Sequence, residues 1–112
     1  MKKIEAIVRT SCFEPVHEAL STIGINFFTF WEVKGFGQQK GQEALYRGIV
    51  YDMGYLERTK IQILAPDDKV DEIVNCIISA ARTGEVGDGK ILITPLEEVI
   101  RIRTGERGLT AF

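Results

Sequence analysis

The chain has 112 residues, 45% hydrophobic and 27% charged, with a formal net charge of −2. That mixture builds one packed domain, and its slightly acidic balance argues against a general nucleic-acid binder, whose domains are usually strongly basic. No apolar run approaches the roughly 20 residues of a membrane span, and Glu5 stands where a signal peptide would stay apolar, so a cytoplasmic protein is expected.

Ile4, Ala6 and Val8 alternate with Lys3, Glu5, Ile7 and Arg9, which predicts a first strand, apolar on one face and mixed on the other. A helix is expected after Cys12. There Phe13, Val16, Ala19, Leu20 and Ile23 recur at three- and four-residue steps, Pro15 suits the first turn, and Gly24 ends the run. Phe27 to Phe36, rich in aromatic and β-branched residues, reads as a second strand. Residues 37–54 are polar at first and hold Gly37, Gly41, Gly48 and Gly54. The stretch is too long for a routine connection, so it is a candidate functional loop.

Leu56 to Ala65 is predicted as a third strand with Thr59, Ile61 and Ile63 on one face. Pro66-Asp67-Asp68 is expected to cap a second helix, whose stripe of Val70, Ile73, Val74, Ile77, Ile78 and Ala81 dissolves at Thr83-Gly84. Ile91 to Thr94 is a fourth strand and Val99 to Ile102 a short fifth. Strand, helix, strand, strand, helix, strand is the split βαβ order. The expected fold class is therefore α+β: one ferredoxin-like βαββαβ domain over residues 1–112, with an antiparallel sheet and both helices on one face. Because Ile91, Ile93, Phe28 and Phe30 alternate on strands that need cover on both sides, the open sheet face is expected to pack against other copies of the chain.

Two glycine-spaced basic loops carry the chemistry, Val33-Lys34-Gly35-Phe36-Gly37-Gln38-Gln39-Lys40-Gly41 and Thr83 to Lys90. Glycine lets backbone N–H groups close on phosphate oxygens, and lysine adds a point charge, so both loops suit a polyphosphate. Neither matches a known phosphate loop. The first lacks the third glycine of the dinucleotide fingerprint, and the second lacks Ser or Thr after Lys90. Taken singly, each reads more readily as an ordinary glycine turn than as a phosphate site. Cys12 and Cys76 match no metal spacing and read as one exposed and one buried thiol; His17, without a second ligand nearby, reads as a surface histidine. Asp67-Asp68 and Glu97-Glu98 are accounted for by capping and solvation.

Four blocks together resemble the PII nitrogen-regulatory signal-transduction proteins. They are Glu32-Val33-Lys34-Gly35-Phe36-Gly37 with Gln39-Lys40-Gly41; Leu45-Tyr46-Arg47-Gly48 with Tyr51; Ala80-Ala81-Arg82-Thr83-Gly84 with Gly87-Asp88-Gly89-Lys90-Ile91; and Pro95 with Glu97-Glu98-Val99 and Arg101-Ile102-Arg103-Thr104-Gly105-Glu106. The match is collinear from Met1 to Thr110. The resemblance implies a homotrimer that binds ATP or ADP in clefts between subunits, senses 2-oxoglutarate, and controls partners through a mobile loop, residues 37–55.

Carried over residue by residue, it implies nucleotide contacts from Gly35, Gly37, Gln38 and Gln39 and, in the phosphate loop 82–90, from Thr83, Gly87, Asp88, Gly89 and Lys90. Arg101 and Arg103 of the C-terminal segment 101–112 would come from the neighbouring subunit's side. Two apart on a short strand, they would share a face while Ile102 meets the core. Gln39 would hold Mg²⁺ and, with Lys40, Arg58 and Gly87, the 2-oxoglutarate. Tyr46, Arg47, Gly48, Ile49 and Val50 would meet a partner, an ammonium transporter or a nitrogen-metabolism enzyme, and a transporter would recruit the protein to the membrane without insertion. Tyr51 matches the tyrosine that a nucleotidylyltransferase modifies in some relatives. A phenol with a pKa of about 10 makes it a substrate rather than a catalyst.

The chain departs from the family pattern at Gln38, where arginine is common, at Arg58, where lysine is common, and at Trp31, Ile49-Val50, Gly54 and Thr10-Ser11-Cys12. These changes touch one phosphate-facing charge and the cation expected to meet the 2-oxoglutarate carboxylate. No catalytic residue is assigned. The competing readings are a divergent nucleotide sensor without 2-oxoglutarate binding, a slow nucleotide phosphohydrolase using Gln39 or Asp88, and an RNA-binding sheet, the last opposed by the acidic balance.

Overall fold

The computed structural model describes residues 1–36 and 55–112, with two short backbone stretches at 45–46 and 49–50. In chain order the elements are β1 (Lys2–Arg9), α1 (Phe13–Thr22), β2 (Thr29–Gly35), β3 (Leu45–Tyr46), β4 (Ile49–Val50), β5 (Leu56–Ala65), α2 (Val70–Ala81) and β6 (Lys90–Pro95). Four strands form one antiparallel sheet in the order β2-β5-β1-β6, and β3 pairs with β4 separately. This is the ferredoxin-like α+β arrangement expected from the element order.

Register decides which face each strand buries. Ile4 stands opposite Ile63 and Ile93, Ala6 opposite Ile61 and Ile91, and Phe30 opposite Ile61. With a side-chain period of two, all of these share one face. Against it pack Val16 and Leu20 of α1 and Ile73, Ile77 and Ala81 of α2, closing a core with Ile4, Ala6, Val8, Ile61, Ile63 and Ala65. Each fully buried Ile or Leu contributes about 1.5–3 kcal/mol relative to exposure. Thr59 lies in the same layer at 3% exposure, and its hydroxyl donates to the Thr10 hydroxyl at 3.3 Å.

That register corrects the expectation for the open face. Ile91, Ile93 and Phe30 point to the helix side, so they are not what calls for cover; the open face instead carries Ile7, Trp31, Leu64 and Leu92 among Lys3, Glu5 and Lys60. Strand β2 begins at Thr29 rather than Phe27. Phe28 lies outside the ladder and meets Phe13 at 6.2 Å and His17 at 5.4 Å between ring centroids.

The expected fifth strand, Val99 to Ile102, reduces to one bridge between Ile100 and Arg107. Gly105 has a φ of 73°, its N–H donates to the Arg101 carbonyl at 2.7 Å, and the backbone turns back on itself instead of extending. Ile102 consequently sits wholly exposed, not in the core.

The acids before α2 form no side-chain cap. They lie in a short 3₁₀ turn, Asp67–Lys69, and Asp67 accepts from the Met1 amine at 2.7 Å and the Lys2 ammonium at 2.9 Å. Those two bonds, the amine's first, hold the Asp67 carboxyl down at about 2. Cys12 and Cys76 are both half-buried, because each sits at the margin of the helix layer, and burial pushes the Cys76 thiol up. Among the described residues, no helix is long and apolar enough to cross a membrane.

Candidate functional site

Three register pairs bring the functional segments to one end of the sheet: Ile7 with Lys90, Val33 with Arg58, and Gly35 with Leu56. They enclose a cleft of about 760 Å³ with Gly35 and Phe36 on one side and Gly87, Asp88, Gly89 and Lys90 on the other. The two glycine-bearing edges, 50 or so residues apart in sequence, thus face a single space. Lys34, Arg58 and Lys60 line it as well, with Glu85 as a further acid.

The cations are not equivalent. Lys60 lies 3.0 Å from Glu5 and 5.3 Å from the centroid of Trp31, and its hydrogen bond is the main cause holding the Glu5 carboxyl below its usual value. Lys34 rests over the Tyr55 ring at 4.7 Å. Arg58 donates from Nη1 to the Glu57 carbonyl at 2.8 Å. Lys90 opens β6 with its side chain exposed beside the glycine loop.

The loop after α2 is wired around one carboxylate. Asp88 accepts from the Thr83 hydroxyl, from the Thr83 N–H at 2.9 Å, from the Gly84 N–H at 2.9 Å and from Arg9 Nε at 3.3 Å. These donors, the Thr83 hydroxyl foremost, hold it far below the usual carboxylate range. The Thr83 hydroxyl also accepts the Glu85 N–H at 3.1 Å, and Arg9 Nη2 donates to the Val86 carbonyl at 2.8 Å. Gly84, Gly87 and Gly89 have φ values of 88°, 102° and 103°, a region L-residues rarely adopt. At Gly89 a second constraint applies, since a Cβ there would stand 1.7 Å from the Ile7 carbonyl oxygen.

Within this loop the residues expected to contact a ligand therefore divide. Thr83 and Asp88 use their polar atoms on each other, and of the two only Asp88 lines the cleft, beside Gly87, Gly89 and Lys90. Arg9 went unread as a functional residue. Its alternation with Val8 placed it on the mixed face of β1, but only the register shows that this end of the strand lies beside Asp88.

Arg101 and Arg103 do not line this cleft in the single chain. Arg101 Nη1 contacts Glu106 at 3.1 Å and Nη2 donates to the Phe112 carbonyl at 2.7 Å, while Arg103 follows in an exposed turn. They sit in a turn and not a strand, so the shared-face argument does not hold for the conformation seen.

The family profile described as "Nitrogen regulatory protein P-II" matches residues 1–106. The chain belongs to the P-II family. It is 52% identical over 111 residues to a P-II protein of Nostoc punctiforme, with 99% of both chains covered, and 52% identical over 106 residues to P-II 1 of Escherichia coli, with 95% of both covered. Among solved structures it is similar to Arabidopsis thaliana PII, crystallised bound to citrate, with a TM-score of 0.79 and 40% identity over 98% of this chain and 87% of that one. Its relatives are named as regulators, and a regulatory rather than enzymatic role follows from membership.

For a P-II protein the remaining expected positions fall as follows. Gly37, Gln38, Gln39, Lys40, Arg47, Gly48 and Tyr51 lie outside the described residues, as does most of the expected loop 37–55. Tyr46 belongs to β3, and Ile49 and Val50 form β4, with Tyr46 paired to Ile49. Among the described residues no group of three or more His, Cys, Asp or Glu is arranged to hold a metal, and the expected Mg²⁺ ligand Gln39 is not one of them.

Proposed function

We propose that this P-II protein is a homotrimeric sensor of ATP and ADP that also reads 2-oxoglutarate and controls a nitrogen-metabolism protein, such as an ammonium transporter or a biosynthetic enzyme, through residues 37–55. One observation carries the reading: both glycine-bearing edges and the side chains of Lys34, Arg58 and Lys90 meet at one cleft whose loop is held in place by its own hydrogen bonds. Backbone at Gly87 and Gly89 on the cleft wall beside a lysine is a chemistry suited to phosphate oxygens.

Three observations support assembly. Trp31, Leu64 and Leu92 lie 38–45% exposed on the open sheet face, Ile102 is fully exposed, and Arg101 and Arg103 do not line their own chain's cleft. Burial of that face in a trimer would cover the apolar residues and bring both arginines to a neighbour's phosphates. Mg²⁺ would neutralise phosphate charge, with Gln39 as this chain's ligand. Arg58, already on the cleft wall, would meet the far carboxylate of 2-oxoglutarate through its guanidinium. Tyr46, Arg47, Gly48, Ile49 and Val50 would contact the partner, and Tyr51 would be the position open to nucleotidylylation. A hydrolytic reading gains nothing from Asp88, whose two oxygens already serve four donors.

Subunit mixing tests the shared cleft. Lys90→Ala and Arg103→Ala trimers should each bind ATP poorly, and trimers reassembled from the two variants should regain a fraction of wild-type sites, because some clefts then join an intact Lys90 to an intact Arg103. Sedimentation showing only monomer, or mixed trimers that bind no better than either parent, would refute the proposal.

A further inference from the structure

We infer that the aromatic patch between α1 and the edge strand β2 is a docking surface for an arginine side chain of a partner protein. The patch lies apart from the nucleotide cleft, and the inference does not rest on that reading. β2 is an outer strand of the sheet, and Phe30 stands on its helix-facing side opposite Ile61. The helix covers this edge only in part, so Phe30 stays 53% exposed and His17 about half exposed. Phe13 and Phe28 fill the space beneath and pack against the core.

The shape of the ring cluster selects its guest. Phe13 and Phe30 lie 4.4 Å apart between centroids, Phe28 lies 6.2 Å from both, and His17 lies 5.4 Å from Phe28, with every pair tilted by 40–82°. At these separations neighbouring rings touch, so they form a platform and not an open cage. A rounded ammonium is best enclosed by several ring faces, whereas a planar guanidinium stacks on one.

Charge points the same way. Glu32 follows Phe30 by two residues on the same strand face, opposite Thr59, and Glu14 of α1 lies 4.0 Å from His17. Both glutamates are exposed, and among the described residues neither has a lysine or arginine partner. Lys34, the next residue on that strand face, is turned onto the Tyr55 ring. An arginine stacked at Phe30 would therefore meet free carboxylate oxygens with its N–H donors. The partner is a different protein, because the face that assembly of this chain would bury is the opposite, open side of the sheet, which leaves the patch outside.

The test titrates isotope-labelled full-length protein with a blocked tetrapeptide of two arginines between two leucines, and with versions carrying lysine, citrulline or glutamate in place of arginine. Amide shifts should saturate at His17 and from Phe28 to Glu32. The arginine peptide should bind more tightly than the lysine one and at least about fivefold more tightly than the citrulline one, which keeps the plane and loses the charge. Phe30→Leu, which removes the ring and keeps an apolar side chain, and Glu32→Gln should each weaken it, and added salt should do the same. Equal binding of the arginine and glutamate peptides, shifts centred elsewhere, or no saturable shift would overturn the inference. So would sedimentation in which Phe30→Leu dissociates the assembly, since a second copy would then be what covers the patch.

Discussion

A Cβ at Gly89 would collide with the Ile7 carbonyl oxygen at 1.7 Å, whereas a Cβ at Gly35, on the opposite edge of the same cleft, would meet nothing within 4 Å. Gly89 also has a φ of 103°, and Gly35 has no positive φ. The two edges look alike as glycine-spaced basic sequence, but their glycines have different causes. One is required by the chain's own backbone path. The other is not, so its reason is to be sought in what approaches from outside, a phosphate group or a neighbouring subunit.

Mutating the two edges separates those causes. Gly89→Ala is expected to have the largest effect, a loss of stability of more than about 3 kcal/mol in denaturant unfolding, because both φ strain and a backbone clash must be relieved. A variant with wild-type stability would show that the loop gives way cheaply. Gly35→Ala should leave stability within about 1 kcal/mol of wild type, with the sign toward stabilisation if the unfolded chain loses more freedom than the native one. If it also lowers ATP affinity, the ligand explanation for this edge is sharpened; if binding is unchanged, a neighbouring subunit becomes the better explanation.

Arg58→Ala should abolish 2-oxoglutarate binding in the presence of Mg-ATP while ADP binding persists, which calorimetry with each nucleotide would reveal. Retained 2-oxoglutarate heat in that variant would remove Arg58 from the effector site. The smallest effect concerns the two depressed carboxylates. Asp88 is buttressed by loop donors, whereas Asp67 is largely exposed and accepts from the Met1 amine and Lys2. The folded value of Asp67, about 2, lies below its ordinary 3.8, so its pairing stabilises the fold above pH 3.8 and fades as pH falls through about 2. Asp67→Asn should therefore narrow the stability gap between pH 6 and pH 2 only slightly, as acid unfolding curves would record.

The core and the order of elements were legible because periodicity is local. Ile4, Ala6 and Val8 on one strand, and Ile73, Ile77 and Ala81 on one helix, announce their buried faces without reference to anything distant. The misreadings share another cause. Which way Ile91, Ile93 and Phe30 point depends on register with β1 and β5, and Val99 to Ile102 lacks a long partner segment within the described chain, so β-favouring residues there close a turn. For the site, the glycine loops and Lys90 could be found from composition and family pattern. Arg9 could not, because its role exists only where the end of β1 passes Asp88, and neither could the internal use of Thr83.

The central claim is that the cleft between Gly35 and Gly87–Gly89 binds an adenine nucleotide through Lys90 and the loop backbone. Calorimetric titration of ATP into wild type and Lys90→Ala tests it most directly. The account predicts saturable binding by wild type and a loss of about 1–3 kcal/mol in the variant, the range for removing one charge-assisted hydrogen bond. Equal affinity in the two proteins, or no binding by wild type, would contradict it.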